Sequence, residues 1–461
     1  MIRIDVLPDE VLLAIFGYYV DGFQNSKKEI EAWQSLVHVC RRWRRVVFGS
    51  PNRLDLHLVC TPATPAKGTL DVWPTLPLLI QGTISSTSSV DDIAVAFGRS
   101  SRICSAELGG FLGWQLENVL PTMRQPFSEM VYLLLCFEDE TAPVISDSFM
   151  GGCAPRLQYL ELERIPFPGL PKLLLSATHL IELHLSTIPH SGYISPEAML
   201  TSLSMLTSLE TLSLQFQSPR SHPDWKGQPQ TPTTRSVLPT LTYFRFKGVS
   251  EYLEDLVAHV DAPRLNGLDV TFFNQIDFDT PLLTQFISRT PTFKAPNEAS
   301  VIFRDSAVSV TLISQTAVSP GPEIAISCRE SDWQLSSLAQ VCASSVPLLS
   351  TVEKLYIQSV PWPGPWKMGI ENTQWLEFLR SFAAVKILHI DGELTTITST
   401  LQELGGRMTE VLPTLQNINI SKMTSSTTVT KDARFTSTGD SRSSNRRFVR
   451  TFPRNSSHTS I

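Results

Sequence analysis

The chain has 461 residues, a hydrophobic content of 42% and a formal net charge of −6 at pH 7. This length predicts two or three structural units. The mild charge gives no reason to expect nucleic acid or a membrane surface as a partner, and no apolar run reaches the roughly 18 residues that a membrane-spanning helix needs.

The N-terminal region predicts an amphipathic helix followed by a Trp- and Arg-rich helical stretch that ends at Pro51. Pro8 suits a first helical turn, where its missing N–H has no cost. Apolar residues recur at intervals of three to four. They are Leu7, Val11, Leu12, Ile15, Phe16 and Tyr19, then Trp33, Leu36, Val37, Val39, Cys40, Trp43, Val46 and Val47. About 45 residues is near the lower limit for an independent core, so the surplus apolar surface needs the rest of the chain or another protein.

Two motifs in this region resemble an F-box. They are Leu7-Pro8-x-Glu10-x-Leu12-x-x-Ile15-Phe16 and Leu36-x-x-Val39-Cys40-Arg41-x-Trp43-x-x-Val46. The resemblance implies a small helical module over residues 1–52 that docks on a Skp-type adaptor. Through that adaptor it would join a cullin, as part of an SCF-type ubiquitin ligase. The alternative is a helical hairpin that only caps the following region.

The resemblance also implies which side chains contact the adaptor. The candidates are Leu7, Pro8, Leu12, Ile15, Phe16, Leu36, Val39, Cys40 and Trp43. Among them we expect Pro8, Ile15 and Leu36 to serve mainly the adaptor interface. Phe16 and Trp43 could serve either that interface or the module's own core.

A repeated pattern, L-x-x-L-x-L and its apolar variants, runs through most of the remaining chain at intervals of roughly 23 to 33 residues, with one longer gap. It occurs at Leu157-Leu160-Leu162, Leu180-Leu183-Leu185, Leu209-Leu212-Leu214, Leu241-Phe244-Phe246, Leu265-Leu268-Val270, Val352-Leu355-Ile357, Val385-Leu388-Ile390 and Leu415-Ile418-Ile420. The fourth and sixth positions have strand parity and are expected to face inward. The gap predicts strands near 299–303, 308–312 and 323–327, as a hairpin insertion.

Each predicted strand is followed by a helical or irregular return, for example over 196–206, 250–260, 281–289, 332–344 and 372–384. Stacked strand-and-return units share one core, so they predict an irregular leucine-rich-repeat-like solenoid over residues 53–420, with a parallel sheet on its concave side. The fold class is thus α+β or α/β. The alternative is an ordinary α/β domain with leucine-rich strands.

An F-box followed by leucine-rich repeats resembles the substrate receptors of SCF ligases, and more narrowly a family of fungal F-box proteins. In this reading the solenoid binds a protein target. The residues expected on its concave face are Tyr159, Glu161, His184, Tyr243, Arg245, Tyr356 and His389. The alternative is an F-box scaffold that binds the adaptor without delivering a substrate.

The last residues change character. Residues 421–461 hold eight Lys and Arg against two Asp and Glu, a net charge of +6, and are rich in Ser and Thr. This composition predicts a disordered basic tail, or else the end of a wrongly predicted gene. Another segment contains Trp362, Trp366 and Trp375 around a Pro- and Gly-rich stretch and predicts a stiff aromatic loop. We expect this loop to pack over the edge of the solenoid; the alternative is that it binds a partner.

An enzymatic role finds little support in the sequence. Short catalytic and nucleotide-binding motifs are absent, and the nine histidines show no ligand spacing. The seven cysteines are scattered without a C-x-x-C pair, which predicts reduced thiols in the cytoplasm or nucleus rather than a zinc site. The first residues are acidic, so no signal peptide is expected. We therefore expect no catalytic residue, no metal and no cofactor.

Overall fold

The computed structural model describes most of the chain, in two units. The described residues are 7–21, 29–51, 53–54, 56–61, 70–71, 73, 75–83, 87–139, 142–219, 235–276, 278–293, 296–314, 321–328, 331–345, 347–360, 372–391, 397, 401–402 and 408–421. The N-terminal unit takes those within Met1–Val59 and Asp71–Pro77, and the sheet unit takes those within Cys60–Leu70 and Leu78–Met423. The predicted tail beyond Ser421 lies outside the described residues.

Three short helices form the N-terminal unit: α1 (Asp9–Asp21), α2 (Glu29–Val37) and α3 (Arg41–Gly49). Their shared core is apolar and fully enclosed. It contains Leu12, Phe16, Leu36, Val37, Val46 and Val47, each at most 6% exposed. The Phe16 and Trp43 rings meet at a centroid distance of 4.7 Å, which joins α1 to α3. The helices predicted from the apolar spacing are therefore present.

Trp73 enlarges this small core. Its ring lies 5.3 Å from the Trp33 ring and 6.4 Å from the Phe48 ring, in edge-on contacts that aromatic pairs favour. The Trp33 indole N–H also donates to the His57 carbonyl at 3.2 Å. Part of the surplus apolar surface of the helices is thus covered by a segment later in the chain.

The sheet unit holds a long mixed sheet and a small two-stranded one. After β1 (Leu58–Cys60), which crosses the unit boundary, the strands are β2 (Leu78–Thr83), β3 (Ile103–Phe111), β4 (Tyr132–Phe137), β5 (Tyr159–Glu163), β6 (Glu182–Ile188), β7 (Thr211–Phe216), β8 (Ser236–Val237), β9 (Tyr243–Gly248), β10 (Val260–Asp261), β11 (Gly267–Phe273), β12 (Glu298–Arg304), β13 (Ala307–Ile313), β14 (Glu323–Ser327), β15 (Lys354–Ser359), β16 (Ile387–Asp391) and β17 (Asn417–Ser421). Strands β8 and β10 pair with each other.

From β2 onward the long sheet runs in the order β2-β3-β4-β5-β6-β7-β9-β11-β14-β13-β12-β15-β16-β17. Neighbours are parallel except where β13 pairs antiparallel with both β12 and β14. This exception confirms the hairpin insertion that the gap in the repeat predicts. The architecture is therefore a helical N-terminal unit followed by a large mixed sheet of many strands.

Helices return the chain between parallel strands, as such connections require. They are α4 (Thr87–Phe97), α5 (Gly113–Val119), α6 (Leu170–Leu174), α7 (Pro196–Leu203), α8 (Ser250–Ala258), α9 (Pro281–Arg289), α10 (Ser331–Ser345), α11 (Asn372–Arg380) and α12 (Met408–Val411). The five predicted returns coincide with α7 to α11. Repeat leucines are buried as expected; for example, Leu157 and Leu160 are 0% exposed and Leu162 is 2% exposed.

The last strand departs from the prediction. Ile418 and Ile420, expected to face inward, are 40% and 56% exposed, and all five residues of β17 are exposed. Within the described residues β17 pairs with β16 on one side only, and no later strand extends the core over it. The register still places both side chains on the inward side of the sheet, beside the buried Leu388 and Ile390. The expected face is therefore correct for this repeat, but the expected burial is not.

Candidate functional site

Helix α1 carries apolar residues on two faces. Leu12, Leu13 and Phe16 point into the core, at 1%, 8% and 1% exposure. Val11 and Ile15, one helical turn apart, are 42% and 46% exposed. Tyr18 and Tyr19 on the helix, and Pro8 just before it, are exposed as well. We call Pro8, Val11, Ile15, Tyr18 and Tyr19 the α1 stripe.

An ion pair brings the start of α3 to the start of α1. The Arg42 guanidinium donates to the Asp9 carboxylate at 2.7 Å and to the Leu7 carbonyl at 2.5 Å. Cys40 is the N-cap of α3, and its sulfur accepts from the Trp43 backbone N–H at 3.5 Å. The corner before α3, where Val39 is 59% exposed, therefore lies at the same end of the unit as the beginning of the α1 stripe.

The candidate adaptor residues fall into three groups. Leu12, Phe16 and Leu36 are buried in the unit's own core. Pro8, Ile15, Val39 and Cys40 are exposed, and Leu7 and Trp43 are half-buried. Leu36, expected mainly at the interface, is only 6% exposed, so in this structure it packs inside the unit instead. Conversely, Val11 and Tyr18 are exposed although the candidate set omits them; their helical spacing from Ile15 could have found them.

The long sheet presents a second candidate surface. Along its strands buried and half-exposed residues alternate, so the half-exposed residues share one face. On that face a continuous row crosses the sheet in register, which we call the central row. From β2 to β14 it reads Gln81, Glu107, Leu134, Glu161, His184, Ser213, Arg245, Asp269 and Glu323.

An acidic and aromatic patch covers β4 to β6. The Tyr132 and Tyr159 rings stack at 4.3 Å with an interplanar angle of 10°, and the His184 ring lies 5.4 Å from Tyr159. The Tyr159 hydroxyl donates to the Glu161 carboxylate, and His184 contacts Glu182 at 3.3 Å. Burial, and then the Glu161 charge, raise the pKa of the Tyr159 hydroxyl, so it stays a donor at neutral pH.

Carboxylates also crowd the neighbouring strands. Glu107 and Glu161 occupy the central row on either side of Leu134. Partial burial and then the Glu161 charge raise the pKa of Glu107. The Cys136 thiol donates to Glu163 at 3.0 Å, and burial followed by that hydrogen bond raises the pKa of the thiol to about 12. A thiol held in its protonated form is a poor nucleophile.

In the middle of the face one basic side chain is fully engaged. The Arg245 guanidinium donates to the Asp269 carboxylate at 2.9 Å and to the Tyr243 hydroxyl at 2.6 Å, and it lies 5.5 Å from the Tyr243 ring centroid. The Tyr243 hydroxyl donates to the same carboxylate. Asp269, which the candidate set omits, is thus the residue that holds Tyr243 and Arg245 in place.

Gly267 makes room for this arrangement. It pairs with Tyr243 across β9 and β11, and a Cβ atom there would lie 2.6 Å from Cδ2 of the Tyr243 ring. The candidate set omits this glycine, although a glycine inside a strand often marks a place where another group approaches closely. Its function is to let the tyrosine ring lie across the neighbouring strand.

Gly267→Ala is therefore expected to displace the Tyr243 ring and lower the free energy of unfolding by about 1–3 kcal/mol, the usual cost of overpacking. Urea unfolding of the full chain measures this loss. In the Tyr243→Ala background the same substitution should cost clearly less, because no ring remains to clash. Additive effects of the two substitutions would show that Gly267 serves some other purpose.

Toward the C-terminal strands the face carries a further stack. The Tyr356 and His389 rings lie 4.5 Å apart with an interplanar angle of 8°. Lys354 donates to Glu298 at 2.8 Å across β12 and β15, a pairing that the strand insertion creates. The seven candidate target residues thus share one face, but they form three separate groups along it. The groups are Tyr159, Glu161 and His184; Tyr243 and Arg245; and Tyr356 and His389.

Neither a metal centre nor a membrane span is evident among these elements. Within the described part of the chain, histidine, cysteine, aspartate and glutamate side chains form no group of three that could hold a metal ion. None of the described helices combines the length and apolar character needed to cross a membrane.

Comparison with known proteins assigns the N-terminal unit. Residues 4–51 match the F-box-like family. F-box domains generally bind Skp-type adaptors, so this match indicates an adaptor-binding role for the unit. No curated protein matches the chain.

Proposed function

We propose that this protein is the substrate-recognition subunit of an SCF-type ubiquitin ligase. The F-box-like match over residues 4–51, lying on a unit with an exposed apolar stripe, carries the proposal. In this role the protein itself catalyses no reaction and needs no cofactor or metal. It tethers a target so that the lysines of the target reach the ubiquitin-transfer machinery at high effective concentration. Such a subunit works in the cytoplasm, the nucleus or both.

The adaptor side of the proposal rests on the α1 stripe and Val39. Side chains that are apolar and 40% or more exposed, such as Val11, Ile15 and Val39, gain free energy when a partner covers them. Interfaces concentrate that energy in a few anchors, each contributing about 2 kcal/mol or more. Leu12, Phe16 and Leu36 then support the surface from below by holding the three helices together.

The target side rests on the sheet face. We interpret the strand-and-return units as leucine-rich-repeat-like, stacked in a solenoid whose long sheet offers its half-exposed face to the target. The polar and aromatic groups on that face, among them Tyr159, Tyr243 and Tyr356, suit a protein partner better than a small molecule.

Co-purification of the full chain with its adaptor and cullin tests this function. The variant Ile15→Asp/Val39→Asp places two charges where apolar contact is proposed, and we expect at least a hundredfold weaker recovery of both partners. Both positions are already exposed, at 46% and 59%, so the variant should keep the wild-type circular dichroism and unfolding midpoint.

The chain supplies a control with the same two substitutions elsewhere. Ile276 and Val144, in the sheet unit, are 89% and 52% exposed. Ile276→Asp/Val144→Asp should retain both partners. Recovery of the adaptor without a cullin would favour the scaffold role instead. A folded wild-type chain that recovers neither partner would refute the proposal.

A further inference from the structure

The central row contains an occupied arginine site that serves as a template. On β9, Tyr243 and Arg245 are two residues apart, and Asp269 is the central-row residue of the next strand, β11. In that arrangement the guanidinium binds the carboxylate and the tyrosine hydroxyl at 2.9 and 2.6 Å and covers the tyrosine ring. Here a Tyr, an Arg and an acidic residue at these three register positions form a complete arginine site.

The same register recurs on β4 and β5 without the arginine. Tyr132 pairs with Tyr159 in the row that also contains Glu182, Thr211 and Tyr243. On β4 the residue two positions after Tyr132 is Leu134, which takes the central-row position that Arg245 takes on β9. The central-row residue of the next strand, β5, is Glu161. The tyrosine and the carboxylate of the template are therefore both present, and the cation is not.

The vacant site is more acidic than the template. Glu107 flanks Leu134 on the side opposite Glu161, so two carboxylates face the position instead of one. Among the described residues, no Lys or Arg forms an ion pair with Glu107, Glu161 or Glu163. The Tyr132 and Tyr159 rings, stacked 4.3 Å apart, lie beside these carboxylates.

We propose that the patch formed by Glu107, Tyr132, Tyr159 and Glu161 binds an arginine side chain of the target protein. The guanidinium would lie against the Tyr132 ring as Arg245 lies over Tyr243, and it would donate to Glu161 as Arg245 donates to Asp269, with Glu107 as a second acceptor. This inference rests on the proposed function, since it names the chemistry of the target that the sheet face selects.

Arginine fits this patch better than lysine because a planar guanidinium can stack on a tyrosine ring and donate to a carboxylate at the same time. The surplus of carboxylates also repels phosphate groups, which disfavours nucleic acid as the occupant.

Fluorescein-labelled peptides of alternating glycine and arginine, added to the full chain at moderate salt, test the proposal by fluorescence anisotropy. Glycine–lysine peptides of the same length are the comparison. We expect the arginine peptide to bind at least fivefold more tightly than the lysine peptide. Glu161→Gln should weaken its binding at least tenfold. Glu117→Gln, which removes the same charge from an exposed position on α5, should leave binding within twofold of wild type.

A second variant fills the site from within. Leu134→Arg places a guanidinium where Arg245 lies in the template, and we expect it to abolish peptide binding while keeping or raising the unfolding midpoint. Leu175→Arg is the matched control, since Leu175 is 46% exposed at the end of α6 and away from the strands. Equal effects of the two leucine variants would overturn the proposal, as would equal binding of arginine and lysine peptides.

Adaptor recovery from the same samples separates this inference from the proposed function. Adaptor and cullin recovered without peptide binding would refute only the arginine site. Peptide binding that depends on Glu161, in a chain that recovers no adaptor, would keep the site and refute the ligase role.

Discussion

Replacing Trp375 by alanine is expected to lower the free energy of unfolding of the sheet unit by about 3–5 kcal/mol, the usual cost of truncating a buried aromatic side chain. Trp375 lies on α11 and is 0% exposed. Its ring meets Phe303 of β12 edge-on at 5.7 Å and Phe378 at 6.3 Å. Removing it leaves a cavity at the place where α11 packs on the inserted strands.

Urea unfolding of the full chain, followed by circular dichroism, measures this effect against an exposed tryptophan. Trp114, on α5, is 43% exposed, and Trp114→Ala should cost less than about 1 kcal/mol. Similar losses in the two variants would show that Trp375 is not part of a closely packed core. Trp375→Phe keeps most of the ring and should recover more than half of the lost stability.

Trp375 also shows where the sequence was misleading. Its proximity to Trp362 and Trp366 grouped it with one stiff aromatic loop, although it also lies in the predicted return over 372–384. The structure places Trp375 in that helix and in the core. Trp362 and Trp366 lie outside the described residues. The spacing of Trp375, Phe378 and Leu379, which are all buried, is helical and was the better guide, because it reports which residues share a buried face.

The repeat pattern predicted the sheet well because strand parity is a local property. Leu160 and Leu162 face one core while Tyr159 and Glu161 face the other side, as alternation requires. The same parity placed Tyr243, Tyr356 and His389 on one face. Cross-strand partners are different, since they depend on which strand lies alongside. Neither Asp269 beside Arg245 nor Gly267 beneath Tyr243 could be read from residues near them in the sequence.

For a related reason, it was harder to separate the adaptor candidates into interface residues and core residues from the sequence. Helix α1 is apolar on adjacent faces, so periodicity alone ranks Leu12 and Phe16 with Ile15. The faces separate only when α2 and α3 pack against one of them, leaving Ile15 46% exposed and Phe16 1% exposed. Trp73, which completes that packing, comes from a segment that the sequence assigned to the next region.

Among the polar residues of the described core, we expect truncation of Glu254 to lower the free energy of unfolding the most. It lies on α8, is 8% exposed, and accepts from the Leu282 and Leu283 backbone N–H groups at 2.8 and 2.7 Å. These donors begin α9, whose own N-cap, Thr280, makes no capping hydrogen bond. Glu254 therefore caps a neighbouring helix across the helix layer, which residue spacing along the chain could not predict.

Glu254→Ala leaves both backbone donors without this acceptor and is expected to lower the free energy of unfolding by about 2–5 kcal/mol. Glu254→Gln keeps one acceptor oxygen and should lose less. Urea unfolding at pH 7 measures both variants. Glu117→Gln, at an exposed site, is the control and should stay within about 0.5 kcal/mol of wild type. A loss below 1 kcal/mol in Glu254→Ala would show that the start of α9 does not depend on this cap.

The pH dependence of stability has a definite sign at this residue. Burial raises the pKa of Glu254 to about 7, against the opposing effect of the two backbone hydrogen bonds and with a smaller contribution from Asp279 and Asp255. Between the ordinary value of 4.5 and about 7 the folded chain therefore holds a proton that the unfolded chain has released. The stabilisation linked to this proton is complete below the ordinary value and is lost as the pH rises through about 7.

The stability difference between wild type and Glu254→Gln isolates this contribution, because glutamine does not titrate. Unfolding midpoints measured at pH 5, 6, 7 and 8 should show wild type losing stability relative to the glutamine variant as the pH rises, and the loss should level off above pH 7. A difference that is constant across this range would mean that the Glu254 carboxyl titrates near its ordinary pKa. In that case the two backbone hydrogen bonds and the amino end of α9 would outweigh burial, and Glu254 would cap the helix as a carboxylate throughout.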